Sequence, residues 1–346
     1  MKPLPLKMLS GIWKPMLWRL VALITGACAI LAGALLVAHE SPVQSFLTLI
    51  HGSLGSPAAI GGTLRETTPL LICGLAVFIS LRAGLFNIGV EGQFLVGAAS
   101  CAYVALLFPN VLGMVFGILA GIVAGMLWAL PAALIKAYRN GHEVITTIML
   151  NNVAALLTTA LVSGPMKDKN TSDTATAYVA MSSRIPWIYN RPPVQLNFAL
   201  VIGIVLTIAM AWWLKKTVAG YELQAVGANR IAATFAGVSP RKVTMVAMSV
   251  SGGLGGLAGA IQVLAFEWRF YDGFSPGYGF DALGVALLAG DSAYGVLPSS
   301  LLFGVLSKGG TVLQIDGVPK GITTVILGML ILIAAAIRYR KVNSVA

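Results

Sequence analysis

Charged side chains are scarce in this chain of 346 residues: Asp, Glu, Lys and Arg make up 10% of it, whereas 57% is hydrophobic. Soluble domains average about 25% charged and about 45–50% apolar residues, so the composition excludes an ordinary soluble fold. Ten helical spans of about 20 residues would use roughly 200 residues and leave short connections. The composition therefore predicts an all-α polytopic membrane protein.

Cysteine and histidine are also scarce, at three residues each. Cys28, Cys73 and Cys101 lie in apolar stretches without a CxxC or Cys/His spacing, which argues against a disulfide framework and a zinc site. The chain lacks HExxH, GxSxG and the GxxxxGK[ST] phosphate loop. We therefore expect no catalytic residue, no metal and no cofactor bound by this chain. If ATP drives the protein, a partner chain must hydrolyse it.

Basic residues outnumber acidic ones by 23 to 12, which gives a net charge of +11. In a soluble chain this excess would suggest nucleic acid, but in a membrane protein it is typical of basic cytoplasmic loops. We therefore expect the lipid bilayer as the surroundings of the chain and no nucleic acid as a partner.

Ten apolar segments predict about ten membrane spans, within a range of eight to ten. The first apolar segment is longer than the core of a secretory signal peptide, so we predict a helix that is not cleaved off. The predicted spans are 20–38, 67–81, 93–108, 111–135, 143–163, 196–214, 243–265, 280–290, 296–314 and 321–337.

The distribution of Lys and Arg orients these spans, because cytoplasmic loops carry the excess of basic residues. It places both termini in the cytoplasm, with an amino-terminal segment 1–19 and a tail 338–346 flanking a membrane domain 20–337. The longest cytoplasmic loop is then 215–242. The polar segment 164–195 falls on the external side, where we expect it to be a connector.

Glycines recur every four residues at Gly113, Gly117, Gly121 and Gly125, and Gly252 and Gly256 repeat the spacing. Small residues at this spacing line one face of a helix and let another backbone approach closely. The pattern predicts packing seams rather than chemistry.

Two apolar segments are interrupted by glycines and an acid, near 82–93 and near 274–290. Non-helical backbone at membrane depth is tolerated only where it is buried in protein or lines a cavity. We therefore expect broken or half helices at corresponding positions of two halves, beside a translocation pathway. Asn87, Glu91, Gln93 and Asp281 are its candidate residues. Alternatively, Glu91 and Asp281 have only a structural role, because the helix dipole favours acidic residues at helix amino termini.

The cytoplasmic loop 215–242 has helix-forming residues on both sides of Gly227 and ends at Gly237 and Pro240. This pattern predicts two short helices on the membrane surface. Such helices are either a spacer or a segment that seats in a groove of a partner and transmits its movement.

At these residues the sequence resembles the permease subunits of bacterial ABC importers of the branched-chain amino acid and ribose type, most of all the nucleoside and simple-sugar permeases. The resemblance rests on GLFNIGVEGQ at 84–93, EVITTIMLN at 143–151, Gly-Ala-Asn at 227–229 with Ala-Gly at 236–237, and GFD at 279–281 with VALL at 285–288. The sequence departs from the family pattern at His142, where the family has Asn, and over 290–295. These departures weaken any transfer of the solute's identity.

The resemblance implies half of an importer in the bacterial inner membrane. Its expected partners are an ABC ATPase subunit that uses ATP, a second and non-identical permease subunit, and an extracytoplasmic solute-binding protein. The segment 219–238 would then dock on the ATPase. The expected coupling residues are Gly220, Glu222, Gly227, Asn229, Arg230 and Gly237.

A nucleoside or a simple sugar is polar but uncharged, so amide and hydroxyl groups suit its path. The expected pathway residues are then Phe86, Asn87, Glu91, Gln93, Asn151 and Asp281, with Phe86 able to stack on a base. Guided by the resemblance, we rank a nucleoside above a sugar and both above a branched-chain amino acid. An ion-coupled secondary transporter is the alternative, since it also uses broken helices and intramembrane acids. The ordered loop 217–240 favours ATPase coupling.

Overall fold

The computed structural model describes residues 33, 41–191, 194–318, 321, 324–325 and 328–329. The predicted spans 20–38 and 321–337 lie almost wholly outside the described residues. The segments 1–19 and 338–346, and with them the predicted location of both termini, lie outside entirely.

The described residues form eleven α-helices and one two-stranded sheet. The helices are α1 Pro42–Leu54, α2 Pro57–Arg82, α3 Val90–Leu107, α4 Val111–Arg139, α5 Glu143–Ser163, α6 Phe198–Lys216, α7 Val218–Ala228, α8 Arg230–Phe235, α9 Pro240–Ile261, α10 Tyr278–Leu288 and α11 Val296–Ile315.

Seven helical segments of the described chain are long and apolar enough to cross a membrane. They are α2 to α6, α9 extended by a π-helical turn to Glu267, and α11 preceded by a 3-10 turn from Ala293. The polytopic helical prediction is therefore confirmed. The predicted short segment 280–290 is the eleven-residue helix α10, which is too short to span.

Helix α2 begins ten residues before the predicted span, at Pro57. Ser56 caps it by accepting a hydrogen bond from the Ala59 backbone N–H at 3.1 Å, and proline suits the first helical position. The predicted start at residue 67 was wrong because Arg65 and Glu66 were taken for a loop. Both side chains have partners in distant parts of the chain, which allows them to lie within the helix.

The glycine seams are confirmed as close helix contacts. A Cβ atom at Gly121 would lie 2.8 Å from the Ala260 Cβ, and one at Gly253 would lie 2.9 Å from the Met126 side chain. Gly125 lies directly against the Gly252 carbonyl. The residues that α4 buries are glycines and alanines only, so its contact with α9 is made backbone to backbone.

The segment 164–197 is more than the predicted connector. It contains an antiparallel hairpin, β1 Trp187–Arg191 and β2 Val194–Asn197, which is also the exception to the all-α prediction. Its backbone donates hydrogen bonds to the stretch after α9: Thr176 N–H to Phe270 O at 2.8 Å and Val179 N–H to Trp268 O at 2.7 Å. These partners lie some ninety residues further along the chain, so the local sequence did not reveal them.

The hairpin and the loop 215–242 lie at opposite ends of α2. Gly61, near the start of α2, lies against Val194 of β2, whereas Gly84, just after its end, lies against Gly227. This placement agrees with the prediction that the two segments belong to opposite sides of the membrane.

Candidate functional site

The chain is non-helical between Arg82 at the end of α2 and Val90 at the start of α3, and we call residues 83–89 the first break. Gly84 ends α2 with a φ of 71°, a conformation that glycine adopts at little cost. The break predicted near 82–93 is therefore confirmed.

Asn87 lies at the centre of the first break and is completely buried. Its Nδ2 donates to Ser251 Oγ at 2.8 Å and to Gln93 Oε1 at 3.2 Å, while its Oδ1 accepts from the Gly89 N–H at 2.9 Å. Ser251 in turn donates to the Ala76 carbonyl at 2.6 Å. Every polar group of Asn87 thus has a partner within the protein, as buried amides require.

Two residues of α5 hold the first break from the other side. Asn151 accepts from the Gly92 N–H at 2.9 Å and donates to the Ile88 carbonyl at 2.9 Å. Glu143, at the amino end of α5, forms an ion pair with Lys136 at 2.8 Å and accepts from the Phe86 backbone N–H. The ring of Phe86 itself points outward and is 43% exposed.

The second break lies between the π-helical turn Gln262–Glu267 and α10, and we define it as residues 268–277. Trp268 has a φ of 58°, which is uncommon for a bulky residue, and Gly273 and Gly277 have φ values of 72° and 111°. A π-helical turn often marks a functional position in a helix. The half helix predicted near 274–290 is confirmed as α10.

The two breaks meet at Glu91, whose Oε2 accepts from the Gly279 N–H at 2.7 Å and whose carboxylate also bonds to the Ser275 side chain. Glu91 lies in the first turn of α3 and is buried, and Gly279 lies in the first turn of α10. A Cβ atom at residue 279 would collide with the Glu91 backbone. Two segments almost two hundred residues apart, matched in the sequence only by their glycine-and-acid pattern, are therefore neighbours in space.

Asp281 also lies in the first turn of α10 and is partly buried. Among the described residues, no side chain or backbone N–H donates a hydrogen bond to its carboxylate. Its charge is close enough to Glu91 and Glu66 to interact with both. Asp281 thus joins the expected pathway residues at the meeting point, while Phe86 lies outside it.

A cavity of about 280 Å³ lies between α3, α5 and the second break. Its lining combines hydroxyl, amide, carboxylate and aromatic groups. These come from Glu91, Asn151, Asn152, Thr158, Thr159, Phe270, Tyr271, Asp272, Phe274, Ser275 and Phe280. Of the expected pathway residues, Glu91 and Asn151 line this cavity. Asn87 lies buried within the first break, and Gln93 lies buried beside it in α3.

Two contacts shape the rim of the cavity. The Thr159 hydroxyl of α5 donates to Asp272 of the second break at 2.6 Å, and this side of the cavity is exposed. Burial and the neighbouring Glu267 carboxylate raise the pKa of Tyr271, so its hydroxyl keeps its proton at neutral pH and remains a donor. No signal in the local sequence identified Thr159, Asp272 or Tyr271.

The loop 215–242 contains the two predicted short helices, α7 and α8. Asn229 caps α8 by accepting from the Ile231 and Ala232 N–H groups at 3.0 Å and 2.9 Å, and Gly237 ends the segment with a φ of 83°. Gly220 packs against the Trp213 carbonyl, and Gly227 packs against the Arg82 carbonyl.

The tip of the loop is apolar and exposed. Ile231 is 72% exposed and Phe235 is 90% exposed, and Tyr221 on α7 also faces outward. Arg230 is exposed beside Ile231, and Glu222 is partly buried on α7. Of the expected coupling residues, the glycines and Asn229 therefore shape the segment, whereas Arg230 offers its charge at the surface.

Among the described residues, no group of three His, Cys, Asp or Glu side chains could hold a metal ion. The geometry is that of a polytopic helical domain with paired broken helices around a polar cavity. This arrangement is typical of proteins that carry solutes across membranes.

The chain belongs to the family described as branched-chain amino acid transport system / permease component, whose model matches residues 59–335. It is 35% identical to the guanosine ABC transporter permease protein NupP of Bacillus subtilis, over 92% of this chain and 93% of that protein. It is 33% identical to the nucleoside ABC transporter permease protein NupB of Lactococcus lactis, over 91% and 90%. It is 31% identical to the glucose ABC transporter permease protein TsgB13 of Haloferax volcanii, over 92% and 85%. No solved structure matches the chain.

Membership in this family and the seven apolar helices make the chain a multi-pass protein of the inner membrane. It is a transport component and not an enzyme. The predicted resemblance to nucleoside and sugar permeases is confirmed.

Proposed function

We propose that this chain is one permease subunit of an ATP-driven ABC importer that translocates a nucleoside, with a simple sugar as the second candidate. An extracytoplasmic binding protein delivers the solute, and a partner ATPase uses the ATP. The observation that carries the proposal is the polar and aromatic cavity at the meeting point of the two breaks, in a chain related to permeases for guanosine, nucleosides and glucose.

The chemistry of the cavity supports an uncharged, hydroxyl-rich solute with a flat ring. Asn152 and Thr159 offer donors and acceptors for hydroxyl groups, and the exposed ring of Phe280 offers a face for a base. Within the described part of the chain, no Lys or Arg lines the cavity, which disfavours an anionic solute. A volume of about 280 Å³ is near the lower end of the roughly 300–1,000 Å³ usual for small-molecule sites, which suits weak binding in transit.

The expected pathway residues divide into two tasks in this proposal. Glu91, Asn151 and Asp281 face the solute or the space it passes through, and Phe86 lies at the exposed side of the first break. Asn87 and Gln93 hold the first break in shape through their mutual hydrogen bonds. The distinction follows from position, since Glu91 and Asn151 line the cavity, whereas the amide groups of Asn87 and Gln93 bond to each other away from it.

The segment formed by α7 and α8 is proposed to dock on the ATPase subunit. Exposed Ile231 and Phe235 are suitable anchors, because large apolar side chains that the described residues leave uncovered favour burial in a partner. Arg230 adds charge at the edge of this contact, and Glu222 lies further back on α7. The same segment disfavours an ion-coupled secondary transporter, which has no need of it.

A second, non-identical permease subunit completes the proposed assembly. Two further relatives, NupQ of Bacillus subtilis and NupC of Lactococcus lactis, share 25% and 27% identity with this chain and are named for the same solutes as NupP and NupB. Paired permeases thus recur in two organisms. In this chain, only 22% of the central residues of α4 and of α5 are buried, which leaves faces for a partner or for lipid.

The proposal is tested by purifying this chain from its native membrane in mild detergent and identifying the proteins that accompany it. We expect an ATPase and a second permease in fixed ratio, and ATP-dependent uptake of labelled adenosine or guanosine after reconstitution into liposomes with the binding protein. Excess ribose or glucose as competitors would separate nucleoside from sugar. Uptake by the chain alone under an ion gradient, without ATP, would contradict the proposal.

A further inference from the structure

Arg82 is the last residue of α2, at the point where the first break begins. Its Nη2 donates to Gln224 Oε1 of α7 at 2.9 Å, and its Nη1 donates to Asp291 Oδ1 at 3.0 Å. Asp291 follows α10, three residues after Leu288. A single guanidinium therefore joins the loop 215–242 to the end of α2 and to the segment that follows α10, the helix whose Phe280 lines the cavity.

Gln224 is held so that only its oxygen faces Arg82. Its Nε2 donates to the Leu214 carbonyl at 2.7 Å and to the Gly220 carbonyl at 3.2 Å. The amide is thus fixed to α6 and α7, and Arg82 is the group that connects it to α2. The side chain of Gln224 cannot turn away without losing these bonds.

The backbones of the first break and of α7 are also in direct contact beside Arg82. A Cβ atom at Gly84 would lie 3.2 Å from the Gly227 Cα, and Gly227 packs against the Arg82 carbonyl itself. A displacement of α7 therefore has two routes into the first break, one through side chains and one through backbone contact. Only the side-chain route also reaches Asp291 and the end of α10.

We infer that Arg82 is the positioning residue that transmits displacement of α7 to both breaks at once. This inference rests on the proposed coupling of α7 and α8 to an ATPase. The planar guanidinium presents its donors in a fixed fork and can bond two acceptors in different directions, whereas a lysine ammonium has no such fork. From Arg82 the connection continues along the first break to Asn87 and Glu91, and from Asp291 back along α10 to Gly279.

A simpler role for Arg82 is to anchor the cytoplasmic end of a membrane helix, as basic residues commonly do. That role requires a positive charge but neither Gln224 nor Asp291. The two roles therefore differ in what they predict for Gln224→Ala and for Arg82→Lys.

The test uses the complete reconstituted complex and measures ATP hydrolysed per solute imported. Arg82→Gln should raise this ratio roughly tenfold, because loss of the charged hydrogen bonds separates ATPase closure from movement of the breaks. Arg82→Lys should give an intermediate ratio. The control is Arg139→Gln, which removes the same charge from the end of α4, where Arg139 is exposed and its side chain has no hydrogen bond to a described residue; it should stay within about twofold of the wild type.

Gln224→Ala provides the second, milder variant, since it leaves the ion pair of Arg82 with Asp291 intact. It should raise the ratio several-fold without loss of assembled complex, and the double variant Arg82→Gln/Gln224→Ala should be no worse than Arg82→Gln, because both changes break one connection. An unchanged ratio in Gln224→Ala, or full activity in Arg82→Lys, would overturn the inference even if Arg82→Gln failed to assemble. Absence of ATP-dependent uptake in the wild type would instead reject the proposed function.

Discussion

The two breaks differ in how firmly the rest of the protein holds them. Around the first, Asn87, Gln93, Asn151 and Ser251 are buried and paired with one another or with backbone groups. The second contains a π-helical turn and three residues at positive φ, and Asp281 beside it has no hydrogen-bond donor in the described part of the chain. The two are joined at Glu91, which accepts from the Gly279 N–H and bonds to the Ser275 side chain.

This difference indicates a division of labour. A buried hydrogen-bond network with every group paired is costly to rearrange, so the first break is suited to keep its internal shape when it is displaced. Glycines adopt other backbone conformations at little cost, so the second break, which contains Gly273 and Gly277, is better suited to change its conformation. We therefore expect residues 268–281 to change conformation as the cavity opens and closes, and the first break to move as one unit.

The largest effect should come from Asn87→Leu, which leaves the partners of Asn87 in the first break unpaired. Each orphaned buried group costs about 1–3 kcal/mol, so we expect a large loss of thermal stability in detergent together with most of the uptake. Thermal unfolding of the purified complex measures it. The control is Asn190→Ala, an exposed residue of β1 whose side chain accepts a hydrogen bond from Gln195 at 3.0 Å, and it should change little. A stable Asn87→Leu protein would show that the first break is not held by this network.

A smaller effect should follow from removing the bond between the breaks. Glu91→Ala deletes the acceptor for the Gly279 N–H, whereas Glu91→Gln keeps an oxygen in the same place and removes the charge. We expect Glu91→Ala to lose about 1.5–3 kcal/mol of stability, the usual worth of a hydrogen bond to a charged group, and at least tenfold in uptake. Glu91→Gln should keep most of the stability. Equal losses in the two variants would mean that charge, and not the hydrogen bond, matters at this position.

A weaker contact ties the second break to α5. Thr159→Val preserves the shape of the side chain and removes its 2.6 Å hydrogen bond to Asp272. Because this contact is exposed, we expect a stability change of at most about 1 kcal/mol, with a changed KM for uptake. Thr146→Val is the matched control, since Thr146 lies on the same helix outside the cavity lining and its hydroxyl bonds to the His142 carbonyl at 3.1 Å. A KM that responds equally to both changes would argue against a special role for Asp272.

The smallest effect on stability should come from Asp281→Asn. The carboxylate has no donor to lose among the described residues, so we expect a change within about 0.5 kcal/mol. The rate of uptake should nevertheless fall, because the Asp281 carboxylate lies near Glu91, in the first turn of α10. Measuring thermal stability and initial uptake rates on the same preparation separates the effect on stability from the effect on transport. A stability loss as large as that of Glu91→Ala would remove the contrast between the breaks.

The sequence predicted the features that local pattern determines. Apolar runs predicted the spans, glycine spacing predicted the seams of α4 and α9, and glycine with an acid inside apolar sequence predicted both breaks. The pair of helices in the cytoplasmic loop followed from helix formers around Gly227. Each of these signals lies within about twenty residues of chain.

The features that the sequence did not predict depend on partners far away in the chain. Arg65 lies inside α2 because it pairs with Glu267 at 2.7 Å, and Glu66 because it accepts from Tyr278 and Ser307. Ser251 completes the network of Asn87 from 164 residues away. The hairpin of β1 and β2 and the cavity wall at Thr159 and Asp272 have the same origin. Such contacts leave no mark on local periodicity.

The backbone bonds between the segment 164–197 and the second break have a practical consequence. Thr176 and Val179 of this segment are bonded directly to Phe270 and Trp268, and the Trp187 ring of the hairpin contacts the Trp268 ring at 6.4 Å between centroids. A rigid body that binds the hairpin should therefore restrain the stretch that we expect to move. An antibody fragment raised against Ile188 and Tyr189, whose side chains are exposed, should hold that stretch in one conformation. The same reagent would add a rigid marker for electron microscopy, and in the reconstituted complex it should inhibit the proposed uptake.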